Sequence, residues 1–393
     1  MVLDVGACIV HVRSVNLELL DVCVAQFVAD FPSDGEGSAD AVALGQTLDV
    51  EKKLATVLRL AAAGYLSKGY AQFSASPLKD ATDPAVKAKL RDLHPQRDCP
   101  SADVMKDEET QRPYQLTREK FKKIVARLPR ERGMGVDALS YEEIMAMYHT
   151  GGARRELLYR LLYKIGSGSL HSACAGALGG NLLYGLCKPD GGTRPIGVGG
   201  ALRRLVGRIA MADLGEDMAR VFTETKPSAE QLIRHGYMYA GDHPCLTPVQ
   251  VGVAIKGGAE IAIALARLVL HKHRSWAMIA DDKKNGFNAV SRESIFKGLR
   301  QWFPQLIPLA RFFYSRQGEL YTCDAKGRRA AVDEVGEYYF SAEGCTQGDS
   351  LGPFLFAIGY HYALLETQAA HPDTVIVAYL DDTYYLQEPT AAL

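Results

Sequence analysis

The segment Val375-Ile376-Val377-Ala378-Tyr379-Leu380-Asp381-Asp382-Thr383-Tyr384-Tyr385-Leu386 places two adjacent acids between two runs of β-branched and aromatic residues. Such runs are typical of strands, and Asp tolerates turn dihedrals well. The pattern therefore predicts a β-hairpin with Asp381-Asp382 as its two-residue turn. Two carboxylates at one hairpin tip repel each other unless a cation lies between them, and hard oxygen ligands suit Mg²⁺. On this segment alone, an exposed Asp-Asp turn without a ligand is the simpler interpretation.

The bulk composition is that of an ordinary globular protein. The chain has 393 residues, enough for two or three domains with sizeable cores. Hydrophobic residues make up 47% and charged residues 23%, which excludes the composition of a disordered chain. Because the net charge is −1, overall charge does not indicate a nucleic-acid partner. Any such surface depends on local clusters of cations.

Cysteine usage and hydropathy indicate a reduced chain without a membrane span. The eight cysteines contain no Cys-x-x-Cys pair, so the sequence predicts neither a zinc site nor a disulfide framework. Reduced, intracellular thiols are expected. The N-terminus lacks a basic region followed by an apolar core, so no signal peptide is predicted. Residues 165–187 carry no charge, but they are rich in Gly and Ser, so we expect no membrane span there.

Helix signals occur along the first 150 residues. Apolar spacing predicts helices over residues 19–31 and 50–70, followed by a proline-rich linker with a short helix near residues 86–93. Thr117 is predicted to cap a helix that Pro129 stops. Ser140 and Glu143 match a capping box at the start of the next helix.

A second acidic pair follows a short apolar run. Residues 276–280, Trp-Ala-Met-Ile-Ala, lead into Asp281 and Asp282, a pattern typical of a buried strand that delivers a carboxylate at its C-terminal end. A capped helix is expected to begin near Ser291. On this segment alone, a strand that ends in a polar loop is the simpler interpretation.

Two further segments contain glycine-rich turns. Residues 344–356 place such a turn before Pro353, a good first-turn residue, and an apolar helix through Leu365. This kind of turn lets the backbone approach a ligand closely. Residues 188–196 place Asp-Gly-Gly between Lys188 and Arg194, two cations that could grip phosphate oxygens across a hairpin. Taken singly, a loop before a core helix and an exposed cationic hairpin are the simpler interpretations.

Taken together and in this order, the four segments resemble the reverse transcriptases of non-LTR (LINE-type) retrotransposons. Residues 379–382 resemble the family's Tyr-x-Asp-Asp hairpin, and residues 344–356 read Gly-x-x-Gln-Gly-x-x-x-x-Pro-x-Leu-Phe, similar to its nucleotide-pocket turn. Asp282 and, five residues later, Phe287 resemble the first catalytic acid and its aromatic gate. Residues 188–196 and 202–207 resemble the finger hairpin and the next helix. The chain also resembles a segment found in part of the class, through Gln250, Gly252, Gly257, Gly258 and Glu260.

The resemblance covers roughly residues 105–393 and implies an α+β right-hand polymerase fold. Residues 1–105 are expected to form a mostly helical extension, residues 106–275 a fingers-like region and residues 276–393 the palm. Because residue 393 follows Asp382 closely, the later palm strand and the thumb are expected to be absent. The sequence is then a reverse-transcriptase core truncated after the hairpin, with no endonuclease domain.

The implied activity is RNA-directed DNA polymerisation, in which a primer 3′-hydroxyl attacks the α-phosphate of a dNTP. Two Mg²⁺ ions are expected, with Mn²⁺ as the alternative. The partners would be an RNA template with a DNA primer and dNTPs, with no membrane and no identified protein partner. The resemblance implies an intracellular, nuclear location, although we identify no targeting signal. The duplex would contact basic segments at residues 120–132, 203–208 and 271–274 through its backbone and shape.

The resemblance also assigns roles to individual residues. The catalytic, metal-binding acids would be Asp282 and Asp381 as direct ligands and Asp382 as ligand or support. Asp281 competes with Asp282, but only Asp282 has the family's spacing to Phe287. The nucleotide-binding residues would be Lys188 and Arg194 at the triphosphate, Phe287 beneath the sugar, and Gln347 and Gly348 near the nascent base pair.

Two departures from the family pattern support a second hypothesis. Lys283 places a cation beside the first acid, and Gly286 replaces the usual Ala. The alternative is a catalytically inactive retroelement remnant that at most binds nucleic acid. A viral RNA-directed RNA polymerase is disfavoured by Tyr379-Leu380 and Phe287. A dinucleotide-binding enzyme is disfavoured because residues 197–200 fail the Gly-x-Gly-x-x-Gly spacing.

Overall fold

The computed structural model describes residues 57–58, 76–81, 83–106, 112–130, 132–236, 245–323 and 339–389. The chain separates into two compact units, Met1–Ala75 and Ser76–Leu393. The helices predicted over residues 19–31 and 50–70 lie outside the described residues, except that residues 57–58 are helical. The division at residue 75 precedes the predicted boundary at residue 105. The following architecture is that of the second unit.

The strands that the structure describes in this unit form two sheets. In chain order they are β1 (Leu78–Lys79), β2 (Asn181–Cys187), β3 (Thr193–Gly199), β4 (Val249–Gln250), β5 (Ala277–Asp282), β6 (Gly318–Thr322), β7 (Tyr339–Ser341), β8 (Val375–Tyr379) and β9 (Asp382–Gln387).

The described part of this unit is also rich in helices. In chain order they are α1 (Pro84–Asp92), α2 (Arg118–Val125), α3 (Tyr141–Thr150), α4 (Gly152–Gly166), α5 (Cys174–Gly179), α6 (Ala201–Glu224), α7 (Ala229–Arg234), α8 (Gly258–Lys272), α9 (Gly286–Ala289), α10 (Arg292–Trp302), α11 (Ile307–Tyr314) and α12 (Gly352–Ala370), with a 3₁₀ turn at Pro304–Leu306. Within the described ranges, none of these helices is long and apolar enough to cross a membrane.

Several local predictions are confirmed. Thr117 accepts a hydrogen bond from the N–H of Lys120 and caps α2. Ser140 and Glu143 form the predicted capping box of α3. Ser291 caps α10, and α12 begins at Gly352 with Pro353 in its first turn. Each signal lies within a few residues of the element that it specifies. The combination of helices with two mixed sheets is consistent with the predicted α+β class.

The first sheet is built on the hairpin of β2 and β3. These strands pair antiparallel along their full length, from Asn181 opposite Gly199 to Cys187 opposite Thr193. The other edge of β2 is shared by β6, which is parallel to it, and by the short antiparallel β1. β7 extends the sheet beyond β6. The hairpin that Asp-Gly-Gly predicts is therefore confirmed.

The second sheet has the strand order β4-β8-β9-β5. β8 and β9 form the predicted hairpin, but the predicted turn is wrong by one residue. Tyr379 pairs with Asp382, so Leu380 and Asp381 form the turn and Asp382 is the first residue of β9. Leu380 has φ +56°, while Asp381 does not have positive φ. Positive φ at the first central residue alone is the pattern of a type II′ turn.

The prediction that the strand before Asp282 is buried is wrong. Every residue of β5 is at least partly exposed, and Met278 and Ile279 are 44% and 49% exposed. One reason is topological, because among the described residues β5 is the edge strand of its sheet and pairs only with β9, so no strand flanks its other side. An apolar run predicts a strand but does not reveal whether another element covers it.

Helices cover both faces of the second sheet near its centre. Val377 and Leu386 face α8 in one apolar cluster. Ile376 and Ala378, on the opposite face, pack with Leu364 of α12. The alternation of side chains along a strand produces these two faces. The largest apolar cluster lies among α2–α4, α6 and α10–α12.

A buried ion pair joins α6 to the loop that precedes α12. The guanidinium of Arg203 donates to Asp349 Oδ2 at 2.7 and 3.0 Å, and Tyr314 Oη donates to the same oxygen at 2.6 Å. Both charged side chains are almost fully buried. Burial lowers the pKa of Arg203, but Asp349 and Tyr314 more than offset it, so the pKa is raised and the charge is retained. Arg203 is thus unavailable to a nucleic-acid phosphate, and its inclusion in the predicted duplex contact is wrong.

We predict that Arg203→Met lowers the free energy of unfolding by about 3–5 kcal/mol, because Asp349 then stays buried without its cation. Denaturant titration measures the change. Arg160→Met is the control, since it removes an exposed partner of Glu156 and should have far less effect. Equal effects of the two substitutions would contradict a structural role for the buried pair.

Candidate active site

The pairing of β5, β9 and β8 brings the three predicted acids to one end of the second sheet. Asp282 lies directly opposite Asp382, which in turn lies opposite Tyr379. Asp381 occupies the turn beside them. Asp282 and Asp382 are exposed, and Asp381 is half-buried. Two strands that are distant in sequence thus deliver carboxylates to one place.

The neighbouring acid Asp281 lies on the opposite face of the sheet. Successive side chains alternate along a strand, and Asp281 lies opposite Thr383. Its carboxylate forms an ion pair with Lys283, whose Nζ is 5.3 Å from the centre of the Tyr360 ring. The geometry therefore favours Asp282 over Asp281 as the member of the acidic group.

The ammonium group of Lys283 contacts Asp281 and Tyr360. Burial lowers the pKa of Lys283, but hydrogen bonds to Asp281 and Tyr360 more than offset this and raise it. The Lys283 cation is thus engaged with a different carboxylate. This departure from the family pattern does not place a positive charge among the three predicted metal ligands.

The carboxyl of Asp381 has a raised pKa. Burial raises the pKa of its carboxyl, and the charges of Asp382 and Asp282 raise it further. Its own backbone hydrogen bond and the cation of Arg194 act in the opposite direction. Because like charges close together disfavour ionisation, this group has the charge imbalance that a bound cation would relieve.

The donor chemistry of the three carboxylates fits a divalent metal such as Mg²⁺, which prefers hard oxygen ligands. In the structure, however, these three side chains do not form a complete metal-binding group. Within the described ranges, no group of three or more His, Cys, Asp or Glu side chains is arranged to hold a metal ion. The backbone brings Asp282, Asp381 and Asp382 together, and metal binding would require their side chains to turn inward.

Gln250 is a site residue to which sequence reasoning assigned no role. Its Oε1 accepts from the N–H of Leu380 at 2.7 Å and from that of Gly252 at 3.0 Å. Its Nε2 donates to the carbonyl of Leu380 at 3.1 Å. The resemblance of residues 250–260 to a known segment was the available signal, but the contact with residue 380 is not visible in the sequence.

Phe287 is a partly buried aromatic residue that packs against the largest apolar cluster. Its ring stacks on Phe356 of α12 with centroids 5.0 Å apart and an interplanar angle of 18°. Its carbonyl accepts the N–H of Cys345 at 2.8 Å. A side chain at Gly344, which has φ +66°, would collide with the backbone of Phe287 and Asn288. The loop before α12 is therefore tied to α9.

The same loop contacts the cationic hairpin. The N–H of Gly197 in β3 donates to the carbonyl of Gln347 at 2.8 Å. Gly348 has φ +113°, and a Cβ there would lie 2.6 Å from the Gly197 carbonyl oxygen. This close backbone approach requires glycine. Gln347 is partly exposed and Gly348 is exposed, so both remain accessible at the junction.

The two cations of the hairpin are placed differently. Arg194 is exposed and is close enough to Asp381 to lower the pKa of that carboxyl. Lys188 is exposed at the end of the hairpin, where its N–H donates to the Gly192 carbonyl at 3.0 Å. The structure thus brings Arg194 toward the acids, while the contacts described for Lys188 lie within the hairpin.

Comparisons with known proteins support a retroelement origin. No family model matches the chain. It is similar to the "Retrotransposable element SLACS 132 kDa protein" of Trypanosoma brucei gambiense, with 29% identity over 207 residues. The match covers 52% of this chain and 14% of that protein, so the chain spans only a small part of its relative's length. The similarity is distant, and it suggests a retroelement-related function.

We predict that Asp381→Asn raises the free energy of unfolding at neutral pH when divalent ions are absent. The pKa of Asp381 is raised on folding, which means that the protonated carboxyl favours the folded state. The contribution of Asp381 to stability is therefore present below its ordinary pKa of 3.8 and is lost as pH rises through the raised pKa. Asparagine carries no charge and avoids that loss. The gain should therefore disappear on acidification toward pH 3.8.

Denaturant titrations in EDTA at several pH values measure this difference. Asp281→Asn is the matched control, because it removes the partner of Lys283 and should destabilise the chain instead. If Asp381→Asn is no more stable than the unmodified chain at neutral pH, the three carboxylates do not repel one another as inferred.

Proposed function

We propose that this chain is the core of an RNA-directed DNA polymerase of retroelement origin. The observation that carries the proposal is the strand register that puts Asp282 opposite Asp382 beside the Asp381 turn. Arg194 provides a cation near these acids. The motif order and the similarity to a retrotransposable element protein are further support.

The proposed reaction is nucleotidyl transfer. A primer 3′-hydroxyl would attack the α-phosphate of a dNTP, forming a P–O bond as the bond to pyrophosphate breaks. Asp282 and Asp381, with Asp382 as a further ligand or support, would hold two Mg²⁺ ions. When bound, these ions would stabilise charge on the attacking and leaving oxygens.

The residues around the acids would orient the nucleotide. Arg194 and Lys188 would bind the triphosphate and offset the charge that develops on the leaving pyrophosphate. Phe287 would lie beneath the sugar, supported by its stack on Phe356. Gln347 and Gly348 would lie near the nascent base pair, where the exposed backbone of Gly348 permits close approach.

The template–primer duplex would be bound by its phosphates. Lys122, Lys123 and Arg127 are exposed on and just after α2. Lys120, by contrast, pairs with Asp213 at 3.2 Å. Because such contacts release counterions, binding should weaken steeply as the salt concentration rises.

An inactive remnant that binds nucleic acid is the second candidate function. It is favoured by the absence, in the described part of the chain, of a finished metal-holding group of side chains. The two functions differ in whether nucleotides are incorporated, not in whether nucleic acid binds.

We predict that the chain extends an oligo(dT) primer on poly(rA) with dTTP and Mg²⁺, and that Asp381→Ala lowers the rate ~10³-fold or more. Asp281→Ala is the matched control, because it removes the adjacent acid on the opposite face and should retain extension. Binding of the duplex by folded protein without extension would contradict the polymerase proposal and support the inactive remnant.

We predict that Phe287→Val raises incorporation of rNTPs relative to dNTPs by about tenfold or more, since a smaller side chain would admit the 2′-hydroxyl. Single-nucleotide extension with each substrate measures the ratio. Phe356→Val removes the stacking partner but keeps the Phe287 ring, and it should therefore change the ratio less than Phe287→Val does. An unchanged ratio in active Phe287→Val would leave Phe287 with a packing role alone.

A further inference from the structure

The turn that carries Asp381 contains a strained backbone position. Leu380 has φ +56°, in the left-handed region that residues other than glycine, asparagine and aspartate rarely adopt. Such a conformation persists only where surrounding contacts over-determine it. The contacts that hold Leu380 therefore control the position of the next residue, Asp381.

The side chain of Gln250 supplies contacts to both backbone polar groups of Leu380. Its amide oxygen accepts the Leu380 N–H at 2.7 Å, and its amide nitrogen donates to the Leu380 carbonyl at 3.1 Å. Gln250 is fully buried. Strand β4 holds it in place, because Gln250 pairs with Ala378 in β8 and the N–H of Val251 donates to the Ala378 carbonyl at 2.8 Å.

Gly252 also lies in close contact with Leu380. A Cβ at Gly252 would lie 2.7 Å from the Leu380 nitrogen and 2.8 Å from Leu380 Cγ. The Gly252 N–H also donates to Gln250 Oε1 at 3.0 Å, which fixes the orientation of the amide. Leu380 thus lies between the side chain of Gln250, which both donates and accepts hydrogen bonds, and Gly252, where a side chain would not fit.

We propose that Gln250 is a positioning residue that, with Gly252, holds the Leu380-Asp381 turn in the conformation that directs Asp381 toward Asp282. The proposal rests on the polymerase function inferred above. An uncharged amide is suited to the role because it is both a donor and an acceptor. An ionised carboxylate only accepts, the thioether of methionine is at most a weak acceptor, and asparagine is one methylene shorter.

Loss of the Gln250 hydrogen bonds to Leu380 should affect the chemical step more than nucleotide binding. Gln250 contacts the turn, whereas the proposed triphosphate and sugar contacts come from other elements. A displacement of about 1 Å at a reacting centre can cost 10²-fold in rate. A structural role alone would instead lower the amount of folded protein and leave the kinetics of the folded fraction unchanged.

Hydrogen exchange at the Leu380 amide tests whether Gln250 holds the turn without relying on activity. Gln250→Met keeps the length and bulk of the side chain but removes all three hydrogen bonds, and we expect exchange of this amide to become at least about tenfold faster. Gln368→Met is the matched control. Gln368 is another fully buried glutamine, and it donates to the carbonyls of His371 and Thr374 just before β8. Its substitution should leave exchange at Leu380 unchanged.

Steady-state primer extension supplies the second readout. Gln250→Met should lower kcat about 10²-fold with little change in the KM for dTTP, while Gln368→Met should retain the unmodified kcat. If Gln250→Met does not fold, Gln250→Glu serves instead, since the ionised side chain keeps both acceptor contacts but turns an oxygen rather than a donor toward the Leu380 carbonyl. Gly252→Ala should reproduce both effects.

Unchanged exchange at Leu380 in the Gln250 variant would overturn the proposal, as would faster exchange with a normal kcat. An inactive unmodified chain would refute the polymerase function instead, and with it the catalytic part of this proposal. The exchange measurement would still decide whether Gln250 holds the turn.

Discussion

The antiparallel pairing of β9 with both β5 and β8 is the constraint on which the proposed site depends. It sets Asp282 opposite Asp382 and leaves Leu380 and Asp381 as the turn. Because side chains alternate along a strand, a slip of one residue would send Asp382 to the opposite face, toward Asp281 and Lys283. The apolar side chains of β8 and β9 oppose that slip, since they pack on α8 from one face and on α12 from the other.

Close backbone contacts connect the acidic turn to the other predicted nucleotide-binding segments. The loop before α12 meets α9 at Gly344 and meets β3 at Gly348. The buried pair of Arg203 and Asp349 holds the same loop against α6. Residues far apart in the chain are thus held close together by backbone contacts and a buried ion pair. The distant similarity to a retrotransposable element protein supports a retroelement origin for the chain.

Local features of the fold could be predicted from the sequence, and non-local ones could not. The caps at Thr117, Ser140 and Ser291 were predictable because each signal lies beside its helix. The exact turn was not, because the choice of Leu380-Asp381 over Asp381-Asp382 involves hydrogen bonds from Gln250, 130 residues away. Likewise, Arg203 resembled a surface cation until its partner, 146 residues away, was known. The candidate acids and glycines were identified by motif resemblance, and their catalytic and binding roles remain proposals.

Anomalous diffraction from crystals grown with Mn²⁺ tests the convergence of the three acids most directly. We expect one or two Mn²⁺ peaks about 2.1 Å from carboxylate oxygens of Asp282 and Asp381, with Asp382 as a ligand or nearby support. Those carboxylates would have to turn inward from the positions described above. Mn²⁺ bound at Asp281 on the opposite face, or no ion at the hairpin in well-ordered crystals, would contradict a metal-dependent active site at this end of the sheet.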